Sequence, residues 1–266
     1  MSTTAIRLNR FFCYDAKSGT NRRSKMRLAV VLLALVSLSS KADMLGIYGG
    51  VGYWNGSFGG DVISDQSVDD ELNVDADDGL HVYVGFEHPI PLIPNIKVSR
   101  TGIKDSGTGN ASSDFSFAGN SFTLSQTIAT TVDLTHTDVT LYYELIDIGF
   151  DLDLGITGRW LDGEVQIDSF REDVSVLIPL VYASARVGLP FSGLYVGADV
   201  NGIGLGSSSV SDYAVKLGWQ KENFILPEFG IEVGYRRFGI DGDANDIDVD
   251  MDIHIDGVFV NLVGHF

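Results

Sequence analysis

The chain has 266 residues, with 18 Lys or Arg against 36 Asp or Glu and a formal net charge of −18. A hydrophobic fraction of 44% is too high for a disordered acidic protein, and the acid surplus excludes a nucleic-acid partner, which needs a basic surface to displace counterions. A single cysteine excludes a disulfide scaffold and a CxxC zinc site.

Residues 1–42 read as a leader with a secretory signal peptide. Arg22, Arg23, Lys25 and Arg27 precede an apolar run from Leu28 to Val36, and Ser40-Lys41-Ala42 carries small residues where signal peptidase needs them. The run is too short to span a bilayer as a helix. Met26 is an alternative start, and Arg22-Arg23 lacks the rest of a twin-arginine motif. The cysteine, Cys13, falls in this leader, so the expected mature chain is cysteine-free and not a lipoprotein. The leader holds eight of the bases and one acid, which leaves 10 against 35 and a net charge of −25 over residues 43–266.

From Asp43 onward no segment repeats apolar residues at helical spacing over three turns, whereas period-2 alternation recurs. Ten strands are expected near 44–57, 79–89, 94–104, 128–145, 148–162, 173–189, 193–206, 210–221, 227–240 and 251–266. The first alternates Ile47, Val51 and Tyr53 with Gly46, Tyr48, Gly50 and Gly52; the eighth alternates Tyr213, Val215, Leu217 and Trp219 with Ala214, Lys216, Gly218 and Gln220. The fourth changes phase near His136 and the tenth near Gly257, which suggests bulges or extensions beyond a membrane.

Three features favour a transmembrane up-and-down antiparallel barrel of about ten strands, with eight as the fallback, over a soluble sandwich. Short connections alternate with longer polar ones over 58–78, 105–127 and 241–252, the pattern of periplasmic turns and extracellular loops. Trp54, Phe150, Trp160, Phe191 and Trp219 sit at segment ends, where interfacial girdles belong. The last segment ends on Phe266 after alternating Val258, Val260 and Leu262, similar to the signal read by the barrel-assembly machinery of Gram-negative outer membranes. With no apolar helix, a closed barrel is the way to cross lipid with every backbone group paired.

Gly49-Gly50 in the first segment, and 137–145 running into Ile146-Asp147, resemble a family of proteobacterial outer-membrane β-barrels with a Gly-Gly signature. The resemblance spans residues 43–266 and implies the cell outer membrane and the barrel fold, without an activity.

With the apolar phase toward lipid, the opposite phase faces the lumen. That phase carries Glu87, Asp138, Glu144, Asp151, Asp153, Asp199 and Glu232 with Lys97, Arg159, Arg186, Lys216 and Arg236, and Tyr83, Tyr182, Asn201 and Gln220 among them. Such nearly balanced charges pair inside a barrel of this size, which argues against a wide porin channel.

The acids outside the wall are concentrated: eight over 61–78 and seven over 241–256, neither with Lys or Arg. Asp241, Asp243, Asn245 and Asp252 occupy positions 1, 3, 5 and 12 of a calcium-loop pattern, but Asp246 replaces the glycine at position 6, so this is no EF-hand. They are the candidate ligands for weak calcium or magnesium, the alternative being a solvated acidic loop. Asp252-Ile253-His254 matches the Asp-x-His pair of ten-strand outer-membrane aspartyl proteases, with Asp75 and Asp77 as the opposing acids, although here the pair falls in the wrong strand. No His-x-Ser pair supports acyl transfer, and Gly202-Ile203-Gly204-Leu205-Gly206 opens no helix as a nucleotide-binding loop does. No catalytic residue and no resident cofactor are assigned. The expectation is a non-enzymatic outer-membrane barrel with a structural or surface role, its acidic loops meeting divalent cations or lipopolysaccharide. The alternatives are a narrow channel for small solutes or ions and a surface hydrolase. Expected partners are lipid, lipopolysaccharide and, through Phe266, the assembly machinery. The oligomeric state is open.

Overall fold

The computed structural model describes residues 46–61, 79–111, 114–117, 119–221, 227–242 and 251–266. The leader over 1–42 and its cleavage site lie outside these residues, as do Asp75, Asp77, Asp243, Asn245, Asp246 and Asp248.

The described chain is all strand. In order these are β1 (Gly46–Asp61), β2 (Gly79–Glu87), β3 (Asn95–Thr101), β4 (Lys104–Asn110), β5 (Phe115–Phe117), β6 (Asn120–Phe122) and β7 (Thr127–Asp133). Then follow β8 (His136–Asp147), β9 (Phe150–Ile167), β10 (Phe170–Gly188), β11 (Leu194–Leu205), β12 (Ser208–Lys221), β13 (Glu228–Gly242) and β14 (Met251–His265). Ten of them close a ring in the order β1-β2-β3-β8-β9-β10-β11-β12-β13-β14, with β14 returning to β1 and every pairing antiparallel. Two backbone bonds between Ile47 and Phe266 carry the closing ladder to the last residue. This is the ten-stranded transmembrane barrel expected from the alternation, and the eight-strand fallback is excluded.

One end of the barrel carries the connections 88–94, 148–149 and 189–193. Gly149 makes its two-residue turn at φ +85°, a conformation that a side chain disfavours. The opposite end carries an insertion between β3 and β8, but also two tight turns, 168–169 and 206–207. The β9–β10 connection is therefore short because its length went into strands of 18 and 19 residues.

Along the lower wall the exposed positions are apolar. Tyr213, Val215, Leu217 and Trp219 on β12, Phe229, Ile231, Val233 and Tyr235 on β13, and Val258, Val260 and Leu262 on β14 all face out. Four alternate residues cover roughly 20 Å of strand, close to the height of the apolar band of outer-membrane barrels. Higher up the arrangement inverts. Trp54, Phe58, Leu161, Ile167, Phe238, Ile253 and Ile255 point inward and form one buried cluster with Ile103, Ile128, Val132 and Leu134 of the insertion. Where lipid surrounds the wall, apolar side chains face out; beyond it, water does, and the same chemistry drives them in.

Of the two readings of the phase changes, bulges or strand extensions beyond the membrane, this inversion fits the extensions. The register of β14 runs unbroken against β1 from Asp61↔Asp252 to Tyr48↔His265, so there is no bulge at Gly257. Buried and exposed positions keep one parity throughout, and only the apolar set changes sides, from Ile253 and Ile255 inside to Val258 and Val260 outside. Around His136 the even positions from Ile128 to Tyr142 likewise all stay buried, although the expected fourth strand divides into β7 and β8. The bulge is elsewhere, at Leu145 between Glu144 and Ile146. Trp54, expected in the lipid-facing girdle, is instead 2% exposed, because it belongs to the inward parity of β1. Phe150, Trp160, Phe191 and Trp219 do face outward.

The insertion docks on the wall through β7, which pairs with the outer end of β9 from Thr130↔Ile167 to Asp133↔Glu164. The Asp168 N–H donates to the Ala129 carbonyl at 2.7 Å and the Asp168 carboxylate accepts the Ala129 N–H at 2.9 Å, stapling the β9–β10 turn to it. In the ring β9 lies opposite β14, yet Ile128 and Val132 share a buried cluster with Ile253 and Ile255. The insertion thus packs across the outer mouth.

Candidate functional site: the barrel lumen

The alternation that exposes apolar side chains to lipid directs every polar partner into the lumen, where a charge is tolerated only if paired and hydrogen-bonded. Directly beneath the apolar cluster, Arg159 of β9 is fully buried. It binds Asp138 of β8 through two of its three nitrogens, Nε to Oδ1 at 2.8 Å and Nη2 to Oδ2 at 2.7 Å. The same Nη2 reaches Asp212 of β12 at 2.6 Å. Asp212 also accepts two bonds from Arg236 of β13, at 2.8 and 2.7 Å, and Arg236 Nη1 donates to Thr101 at 3.3 Å. Two bases and two acids from opposite walls thereby form one neutral layer across the lumen.

Aromatic rings join that layer to the cluster above. The Arg159 guanidinium lies 5.1 Å from the Phe238 ring and Arg236 lies 4.8 Å from Trp54. His136 packs against Phe238 at 5.4 Å and its Nδ1 bonds the Leu134 carbonyl at 3.0 Å.

Below it, Lys216 of β12 bridges Asp199 at 2.8 Å and Glu232 at 3.4 Å, while Tyr195 and Asn261 both donate to Glu232, at 2.7 and 3.2 Å. Lys97 donates to the Tyr182 hydroxyl at 2.9 Å. Thr140, Thr157 and Asn201 form a chain at 2.8 and 2.7 Å. Glycine makes room for the large rings here: a Cβ at Gly85 would overlap the Tyr48 ring, and one at Gly218 the Tyr195 ring. Lower still, Tyr142 donates to Glu87 at 2.7 Å and accepts from Tyr48 at 2.9 Å.

Every charged residue that the alternation assigned to the lumen stands on its lumen-facing parity, with Glu144 and Asp151 at the lower mouth. Asp212, the acid that joins both arginines, was missed. Its signal was present, since it precedes the outward Tyr213 in the same alternation.

The candidate metal residues fare differently. Asp241 and Asp252 are register partners across β13 and β14, both on the outer face of the wall, and Asp61 stands opposite Asp252 on the other side. Asp243 and Asn245 lie outside the described residues. No metal-competent group of three His, Cys, Asp or Glu occurs among the described residues. The Asp252 and His254 pair also points outward, while Ile253 between them packs inside. Near it are Asp256, 3.8 Å from His254, and Arg237, 3.6 Å from Asp256, with the Tyr235 hydroxyl donating to Asp256.

No family model and no curated protein matches the sequence. Among solved structures the fold is similar to the crystal structure of the outer membrane protease OmpT from Escherichia coli, at 11% identity and a TM-score of 0.48, covering 86% of this chain and 97% of that one.

Proposed function

We propose that the chain is a non-enzymatic outer-membrane β-barrel of a Gram-negative bacterium, with a closed lumen and a structural or surface role exercised by its outer β extension. The observation that carries this reading is the continuous seal: the neutral Arg159–Asp138–Asp212–Arg236 layer lies directly under an apolar cluster that includes residues of the insertion. An ion moving through would have to break bidentate pairs and then cross a dry apolar plug. The exposed apolar belt supports a membrane location. Against a hydrolase of the Asp-x-His kind stands the outward orientation of Asp252 and His254, with hydrophobic packing where a cleft would be. The acidic outer segments and the Gly-Gly resemblance fit a surface protein that meets divalent cations and lipopolysaccharide. Planar-bilayer recording on the refolded barrel tests the reading. Electrical silence at moderate voltage is expected; stable unitary openings would instead favour the narrow channel.

A further inference from the structure

At the lower mouth, below the seal, lies a cavity of ≈ 260 Å³ lined by Asp151, Arg186, Tyr195, Gln220, Glu228 and His265 among others. Arg186 is built into its wall rather than waving in solvent. Its guanidinium stacks on the Tyr195 ring at 3.6 Å, and Tyr195 is itself buried and anchored to Glu232. One nitrogen donates to the Gln220 amide oxygen at 3.1 Å, and the Gln220 amide nitrogen donates on to Glu228 at 2.8 Å. The guanidinium forms no ion pair among the described residues, unlike Arg159 and Arg236, although Asp151 is its cross-strand neighbour. Among the described residues no carboxylate takes its remaining donors, which face an anion in the cavity.

A simple anion is nevertheless disfavoured there. Glu228 and Asp151 line the same cavity, and Asp147 and Glu144 stand beside Asp151 and Asp153 across the β8–β9 pairing. The surplus of acid repels a lone carboxylate and attracts an ammonium. A ligand that carries both charges close together satisfies both walls, since the Gln220 bridge holds guanidinium and Glu228 carboxylate within roughly 8 Å of each other. We propose that this cavity is a binding site for a free α-amino acid, its carboxylate on Arg186 and its ammonium on Glu228, entered from the turn-bearing end of the barrel.

The test is a titration of the refolded full-length mature barrel in detergent with L-alanine, acetate and methylammonium, followed by saturation-transfer NMR. Alanine is expected to saturate, with acetate and methylammonium each about tenfold weaker or more, because each forgoes one charge-assisted contact. Arg186→Met and Glu228→Gln should each weaken alanine about tenfold while keeping the heat-modifiable gel mobility of a folded barrel. If Arg186→Met fails to fold, the ligand series on the parent and Glu228→Gln decide. Acetate binding as tightly as alanine, alanine that never saturates, or unchanged affinity in a folded Arg186→Met variant would overturn the proposal.

Discussion

Replacing Arg159 by Met removes the base that joins the two halves of the central layer while keeping a side chain of similar length. Asp212 retains Arg236, with bonds at 2.8 and 2.7 Å. Asp138 loses both of its bonds from Arg159 and keeps no ion pair among the described residues. An unpaired carboxylate that is 5% exposed is then left inside a wall surrounded by lipid. Breaking a buried pair from one side costs about 3–5 kcal/mol. If that cost comes from the stranded charge rather than lost packing, Asp138→Asn in the Arg159→Met background should recover much of it, leaving about 1–2 kcal/mol for the missing hydrogen bonds. Urea unfolding in lipid vesicles, read by tryptophan fluorescence and heat-modifiable mobility, measures all three proteins. Equal midpoints for parent and Arg159→Met, or a double variant no more stable than the single one, would refute the reasoning.

Two further outcomes are expected. Phe58→Ala empties part of the apolar cluster at a site 3% exposed, and should destabilise by about 3–5 kcal/mol as a cavity mutation; a loss under about 1 kcal/mol would mean that the outer mouth is loosely packed. For the acidic outer segments, millimolar calcium should raise the melting temperature of the parent above its value in sodium at matched ionic strength, with up to roughly 2.7 kcal/mol gained at 100 times Kd. A variant with Asp241, Asp243, Asp246 and Asp248 changed to Asn should lose that difference, and identical melting of the parent in both salts would leave these acids as solvated loops.

How much of this was legible in the sequence depended on where each strand meets lipid. β12 and β13 alternate cleanly where Tyr213–Trp219 and Phe229–Tyr235 cross the apolar belt, and the lumen residues Lys216, Glu232 and Arg236 in or next to it were readable one by one. Trp54 was not, because an aromatic near a strand end looks the same whether it faces interfacial lipid or a plug above it. The apparent phase changes at His136 and Gly257 have the same origin: hydrophobicity reports which solvent a face meets, and that solvent changes along one strand. The insertion was hidden for a different reason. β4 (Lys104–Asn110) is a run of Ser, Gly, Thr, Asp and Asn with no apolar alternation, held by its ladder to β7 and not by its own side chains. The central layer could be listed but not assembled, since Arg159 and Asp212 meet 53 residues apart only through ring closure and register.

One strand, β14, passes from lipid to water without changing register, its apolar side chains moving from the outer face to the inner one. A single-cysteine scan along β14, in the otherwise cysteine-free chain over 43–266, measures this directly: spin labels at 253–262 are compared for collision with oxygen and with a water-soluble nickel complex. Oxygen-dominated collisions are expected at positions 258, 260 and 262, nickel-dominated collisions at 254 and 256, and little access to either at 253 and 255. Oxygen-dominated collisions at 253 and 255, or nickel reaching 258 and 260, would contradict this inversion.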